Sequence, residues 1–574
     1  VKKSRDSPFK LIGHALALAV AAAIAIAVHL PSLKAPLLHD DYAQRAMVAG
    51  QILPKRSAFN LYDFIADDNR ALLLDRGAIP WWCSRDLTIR FLRPLSSALV
   101  WLDVTLFGSG SAGPHAHSLF WWALAVVAVG CLLRRVLSAP AALIGAFVFA
   151  VAPSQTGPLL WLANRGTLVC TALGSFGLLF YVRWREGGAR GHGLVADALF
   201  TAAFCAGEYA FAFAGYVAAF EVVCAREPPF RRIQRSVPFV VPLLGYLGAH
   251  RLLGYGTHGT GFYIDPLRQP LAYLSAAPRR ALILAGEAWG TLDDGELARN
   301  GDRAATLIGA GTLVVAGVLV GLALSDRLAH RRPIAWLAGG AALAMIPALS
   351  SEPSARVLDV VAIGVAGSLG SMVDTVWGTA RGGFAVVTAR LLTGLFLIAQ
   401  TLGGSTRTLH EIRMFTATNR AFEGRIEWLR EHLNAPISVV LQAITPPAAF
   451  WTPFALGDRA PARWRVLSFQ PGDLVAIRTG PSVLEVSSPG GSLFPAGPFD
   501  LFREPGTLRE GEVFEMAGMR TTVLQLDTGG HPTRVRFELD RNLDDRDVQT
   551  LSERQSGFEE VAQPAVHFGV RLGR

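Results

Sequence analysis

The sequence predicts a polytopic α-helical membrane protein of about eleven transmembrane helices, ending in a β-rich soluble domain. Three observations predict it. Of 574 residues, 51% are hydrophobic and 17% charged, against about 25% charged in soluble domains, and mean hydropathy is positive at +0.34. Apolar stretches near the roughly 20 residues needed to cross a bilayer recur up to residue 403 and then stop. From residue 463 the runs "WRVLSF", "LVAIRT", "SVLEVSS", "TTVLQLD" and "RVRFELD" alternate in polarity between Gly and Pro breaks. That is the pattern of a small sandwich or barrel.

Candidate spans lie at 11–30, 117–136, 140–157, 166–184, 194–208, 209–225, 236–253, 304–325, 333–350, 356–377 and 383–403. Lys2, Lys3 and Arg5 precede the first. Arg134 and Arg135 follow the second, Arg183, Arg185 and Arg190 the fourth, and Arg226, Arg231, Arg232 and Arg235 the sixth. Arg327, Arg331 and Arg332 follow the eighth and Arg381 the tenth. Positive residues stay on the cytoplasmic side, and every cluster then shares the side of the N-terminus. This orientation leaves the C-terminal part outside. The first apolar stretch is long for a signal-peptide core and no small-residue cleavage pattern follows it closely, so it reads as a retained span.

The domain expectation is a transmembrane region over 1–404, with 31–116 as a large first outer loop, a helix–strand connector over 405–445, and a β-rich domain over 446–574. The connector holds a helix at 410–433 and a strand at 437–444. The last twenty residues are polar and expected to be loosely held. Within the first loop, "FLRPLSSALVWLDVTLFG" has helical apolar spacing but carries Arg93 and Asp103, so it should lie along the interface rather than cross. Residues 254–303 read as a further outer segment.

Several functions are disfavoured at this level. The net charge of +9 gathers at span ends, a topology signal and not a nucleic-acid footprint. Five cysteines show no CxxC or Cys/His spacing, which argues against a disulfide framework or zinc site. There is no Walker motif, GxSxG or HExxH, which argues against an ATPase, an α/β-hydrolase or a zincin.

The residues that could do chemistry sit at expected outer-face boundaries. Asp40 and Asp41 open the first outer loop. A carboxylate there can take or anchor a hydroxyl proton, and two neighbours also suit a divalent metal through oxygen ligands. Helix capping is the alternative. Arg93, Arg165 and Arg356 could each grip a phosphate by a charge-assisted fork. The alternatives are snorkelling to headgroups for Arg93 and Arg165 and a local pair with Glu352 for Arg356. His115 and His117 are two apart and would not share a helix face, so a polar contact at a helix start suits them better than a metal. Glu208 lies between two apolar stretches, where an acid is a functional candidate unless it marks an interfacial turn. Asp293, Asp294 and Glu296 read as a solvated loop.

Taken in order, "HDDY", "FLRPLSSALVWLDVTLFG", "PHAHSLFWW", "LIGAFVFAVAPSQTGPLLWLANRGTL" and "GEYA" resemble a bacterial branch of the GT-C class of integral-membrane glycosyltransferases. That class holds protein O-mannosyltransferases, aminoarabinose transferases and oligosaccharyltransferase catalytic subunits. The resemblance covers residues 8–405. It implies transfer of a sugar from a polyprenyl-phosphate donor to an acceptor at the outer face of a bacterial inner membrane. The acidic pair would supply the base or acceptor anchor. Arg165 and Arg356 would be candidates for the donor phosphate, with Arg93, His115 and Glu208 as further donor or acceptor contacts. The C-terminal β-rich domain departs from the helical repeats frequent in that branch. A lipid-linked sugar transporter and a non-catalytic scaffold are the rival readings; charges gathered on the outer face and the lack of an internal repeat disfavour the transporter.

Overall fold

The computed structural model describes residues 8–51, 54–291, 302–325, 331–377, 383–494, 496–562 and 569–572. Lys2, Lys3, Arg5, Arg327, Arg381 and the cluster Asp293, Asp294 and Glu296 lie outside them.

Among the described residues, five helices are long and apolar enough to cross a membrane. They are Ala112–Val136, Leu162–Arg185, Arg303–Leu324, Asp359–Trp377 and Phe384–His432. Ala139–Ala150 with Pro153–Leu160, bent by 45°, makes a sixth if counted as one span. Five or six of the eleven expected spans thus meet the requirement on length and composition. Others are helical but short: Arg190–Ala206 has 17 residues and Phe213–Val223 has 11. Between those two the chain breaks at Gly207, whose φ of +151° favours glycine, and passes through the turn Glu208–Ala212.

Residues expected as an outer loop contain a 21-residue helix, Pro270–Gly290. Pro278, Arg279, Arg280 and Glu287 hide its pattern in the sequence. Folding satisfies two of those charges internally. Arg280 is buried and donates to Glu352 at 2.7 Å and to the Leu349 carbonyl at 3.0 Å. Glu287 accepts from Arg407 at 2.8 Å. The run Pro94–Phe107 is a 14-residue helix with Trp101, Leu106 and Phe107 exposed. Arg93 and Asp103, whose charges set it apart in the sequence, both turn inward.

The last expected span does not stop near 404. Phe384–Ile398, a π-turn at Ala399–Gly403 and Gly404–His432 follow one another without a break. Thirteen strands are described. A small antiparallel sheet joins β1 (Asp63–Ile65), β2 (Thr88–Arg90) and β3 (Gly256–His258), tying the first outer loop to the segment after residue 253. The C-terminal part holds β4 (Ile437–Gln442), β5 (Arg463–Val466), β6 (Leu474–Gly480), β7 (Val483–Ser487), β8 (Val513–Met516), β9 (Met519–Leu526), β10 (Pro532–Leu539), β11 (Val548–Arg554), β12 (Gly557–Glu560) and β13 (Gly569–Leu572). They form a six-stranded sheet, β13-β6-β7-β10-β9-β8, and a four-stranded sheet, β12-β11-β4-β5.

Two sequence expectations change here. β4, read as part of a connector, lies between β11 and β5 and is parallel to both. The terminal segment expected to be loose supplies β12 and β13, because edge pairing with β11 and β6 satisfies its backbone.

The parallel step from β4 to β5 needs a crossover, and it is made by two short helices, Pro446–Phe450 and Thr452–Leu456. Glu553, fully buried on β11, pins the start of that crossover. Its carboxylate accepts from the Ile444 N–H at 2.7 Å, the Thr445 N–H at 2.9 Å and the Thr445 hydroxyl at 2.7 Å, and pairs with Arg425 at 2.8 Å. Glu553→Gln removes the charge and one acceptor. It should lower stability by about 2 kcal/mol, read as a fall in the melting temperature of the full chain in detergent.

The outer loop and the C-terminal sheets share one core. Trp82 packs against Phe494 at 3.7 Å between ring centroids, and Trp81 meets Phe514 and Phe537 edge-on at 5.6 Å each. Gly77 (φ +75°) allows the closest approach, since a Cβ there would fall 1.6 Å from the Trp464 carbonyl oxygen.

Candidate active site

The acidic pair opens the helix Asp40–Ala49, and the turn before it is tied from both ends. Asp41 N–H donates to the Leu38 carbonyl at 2.7 Å, and Leu38 N–H donates back to Asp41 Oδ2 at 2.9 Å. The closure forces His39 to φ +37°, a conformation that costs a non-glycine residue about 1–3 kcal/mol and is often found at functional sites. Asp41 Oδ1 accepts from the Ala163 N–H at 2.8 Å. The "HDDY" and "LANRG" segments therefore meet in space. Helix capping describes Asp41 poorly: its oxygens serve the chain before the helix and a distant segment.

Asp41 is buried, and burial pushes its carboxyl up to about 7, against the pull of the Leu38 and Ala163 N–H groups. Asp40 is half-buried. Burial pushes it up to about 6, while the Trp451 indole N–H and the charges of Arg356 and Arg93 pull it down. The imidazole of His39 stacks on Trp451 at 4.6 Å and meets Trp161 edge-on at 5.8 Å. Burial lowers its pKa to about 4, so it is neutral across the physiological range.

The three candidate arginines have different fates. Arg93 donates to Glu208 through Nε at 3.0 Å and through a second, shorter bond. Its guanidinium lies among the rings of Phe91, Tyr62 and Tyr209, at 4.5, 4.9 and 5.0 Å. Arg165 is buried in an ion pair with Asp103 and also donates to Ser118 Oγ at 2.8 Å and to the Pro114 carbonyl at 3.2 Å. Arg356 is half-buried and forms no ion pair among the described residues. Glu352, its sequence-level alternative, is engaged by Arg280. Arg356 instead lies over the Trp161 ring at 5.3 Å and interacts with the Tyr263 hydroxyl.

His115 is buried, with Nδ1 3.0 Å from the Leu159 carbonyl oxygen, and so joins the helix Ala112–Val136 to the short helix Thr156–Leu160 that precedes the "LANRG" segment. His117 accepts from the Trp121 indole at Nε2, which leaves Nδ1 to donate to Asp103 at 2.7 Å. The two histidines do not share a partner. Asp41 is committed to backbone N–H groups, and among the described residues no group of three His, Cys, Asp or Glu side chains is placed to hold a metal ion.

Sequence reasoning missed Trp451, Trp161, His39, Asn164 and Tyr263. Trp161 and Asn164 lie in the segment that Arg165 marked, and His39 precedes the acidic pair. Trp451 carried no signal, since its neighbours are apolar and its place depends on the β4–β5 crossover. Tyr263 is placed by bridging Ser351 and by Ile264 N–H donating to the Ser350 carbonyl at 2.7 Å. What results is a cluster of one half-buried carboxyl whose pKa is raised to about 6, one arginine that forms no ion pair among the described residues, and the rings of His39, Trp161 and Trp451.

No protein-family model matches the chain, and no curated protein does. Among solved structures, ArnT from Cupriavidus metallidurans bound to undecaprenyl phosphate is 14% identical, with 81% of this chain and 86% of that chain aligned and a TM-score of 0.42. The archaeal oligosaccharyltransferase AglB from Archaeoglobus fulgidus, in complex with an inhibitory peptide and a dolichol-phosphate, is 15% identical. It aligns with 80% of this chain and 65% of its own length, at a TM-score of 0.43.

Proposed function

We propose that the chain is a GT-C-type membrane glycosyltransferase that moves a sugar from a polyprenyl-phosphate donor to an acceptor hydroxyl at the outer face of a bacterial inner membrane. The observation that carries this reading is that Asp40 lies within electrostatic reach of Arg356, which forms no ion pair among the described residues. A base near neutrality and an anion-binding cation are the two groups such a transfer needs.

Asp40 is the base. The acceptor oxygen attacks the anomeric carbon and gives its proton to the Asp40 carboxylate. The bond from that carbon to the phosphate oxygen breaks, and the electron pair leaves on the lipid phosphate, where Arg356 stabilises the charge. Attack from the face opposite the phosphate inverts the anomeric centre. Asp41 acts through Asp40 by fixing the 38–41 turn against Ala163. Trp451, from the C-terminal domain, holds Asp40 in its charged form through its indole N–H. The Arg93–Glu208 pair is a wall and positions Tyr209. His115 and Arg165 hold the helices on which the site stands. The N-terminus is cytoplasmic and the C-terminal sheets face outward.

The test uses the purified chain in detergent with a panel of radiolabelled polyprenyl-phosphate sugars and measures release of the lipid phosphate. Wild type should release it, and Arg356→Ala should raise the donor KM by roughly 10- to 100-fold, the loss of a charge-assisted contact. A folded wild-type protein that neither releases lipid phosphate nor binds polyprenyl phosphate overturns the reading.

A further inference from the structure

Two buried N–H donors beside Arg356 have no acceptor. Asn164 is 2% exposed. Its Oδ1 accepts from the Tyr209 hydroxyl at 2.7 Å and from Thr167 at 3.1 Å, which fixes the amide, yet Nδ2 has no partner. Trp161 Nε1 is likewise buried and unpartnered, on the ring over which Arg356 lies. Gly157 adjoins both residues: a Cβ there would sit 3.1 Å from Arg356 Cβ and 3.9 Å from Asn164 Nδ2. Buried donors are paired in the great majority of cases, and leaving one unmade is expensive. Two orphans beside Arg356, which forms no ion pair among the described residues, mark a place prepared for oxygens that carry negative charge.

We propose that Trp161 and Asn164 donate these N–H groups to phosphate oxygens, completing with Arg356 a three-sided phosphate pocket. The proposal rests on the transfer reading above, in which that phosphate is the leaving group. Hydrogen bonds to a phosphate are charge-assisted and strengthen as charge accumulates on it. The same two donors therefore bind the donor lipid and favour its departure. Gly157 keeps the space between Arg356 and Asn164 clear.

The test measures affinity of the full chain in detergent for undecaprenyl phosphate, undecaprenol and inorganic phosphate. Two variants are compared with wild type. Trp161→Phe keeps the ring and removes only the donor. Asn164→Asp keeps the acceptor for Tyr209 and Thr167 and replaces the free donor with an oxygen. Each should weaken undecaprenyl phosphate about tenfold or more and leave undecaprenol unchanged. Trp161→Phe should also melt no lower than wild type, because it deletes an unsatisfied group; a purely structural tryptophan would do the reverse. Inorganic phosphate bound as tightly as the lipid, with the same losses in the variants, assigns the pocket to phosphate whatever its source. Wild-type affinity in both variants, with Arg356→Ala weakened, overturns this inference and leaves the transfer reading standing. Equal affinity of wild type for undecaprenyl phosphate and undecaprenol, with no inorganic phosphate bound, overturns both.

Discussion

Asp40→Asn should lower turnover by about 10²- to 10⁴-fold, the range for a positioned general base, with the protein still folded. Asn is isosteric, and its amide oxygen can still accept from the Trp451 indole, so the loss falls on kcat. Asp41→Asn should behave differently. Both Asp41 oxygens accept backbone N–H groups, from Leu38 and Ala163. An amide must turn its NH₂ toward one of them, at a cost of about 1–3 kcal/mol. That variant should therefore lose melting temperature as well as rate. The pH dependence separates the two further. Wild-type turnover should fall on the acid side as Asp40 is protonated around its pKa of about 6. Stability runs the other way. The Asp41 pKa is raised from 3.8 to about 7, so the folded chain holds that proton more tightly than the unfolded one does. The stabilisation is full below the unfolded pKa and is lost as pH rises through about 7. Melting temperature should rise on acidification from pH of about 8 toward about 5 in wild type, and rise less in Asp41→Asn. An unchanged kcat in Asp40→Asn would remove the base from the mechanism.

Asp103→Ala should be the most damaging single change to stability, by about 3–5 kcal/mol. Asp103 and Arg165 have side chains only 5% and 3% exposed. Deleting the acid leaves the guanidinium buried with no carboxylate, its remaining contacts being the Ser118 hydroxyl, the Pro114 carbonyl and the His117 ring nitrogen, and it also strips the His117 ring of the carboxylate it meets. The double change Asp103→Ala with Arg165→Met removes both charges and should recover much of the loss, since a buried ion pair is often replaceable by apolar groups. Thermal unfolding of the four proteins in the cycle checks this. Additive losses would mean that the pair is not coupled.

These two cases show what the sequence could and could not reveal. The acidic pair stood out in the sequence as two adjacent carboxylates after the first span, but the backbone bonds that Asp41 makes did not. The three arginines were indistinguishable, each standing at a span boundary with apolar neighbours. Their roles follow from partners far away in the chain: Glu208 is 115 residues from Arg93. Glu352, four positions from Arg356, turned out to be held by Arg280. Helix Pro270–Gly290 escaped because its charges are paired inside the fold, which erases the apolar stripe that pattern reading needs. The alternating strands of the C-terminal domain were plain, but β12 and β13 were too polar and too short to stand out. Trp451 reaches the site only through a parallel crossover, which no local pattern encodes.

The shared core of the outer loop and the C-terminal sheets has a consequence for biosynthesis. Arg503 Nη1 donates to the Trp82 carbonyl at 3.2 Å across 421 residues of chain. At about 5–20 residues per second, the ribosome takes about 20–80 s to make that stretch. For that time Trp81 and Trp82 lack the C-terminal side chains against which they pack, and Trp451 is added only late in it. The nascent protein must be shielded from aggregation during this interval. On the proposed mechanism Asp40 gains the Trp451 indole only when the final domain arrives, so a truncated product should not turn over substrate.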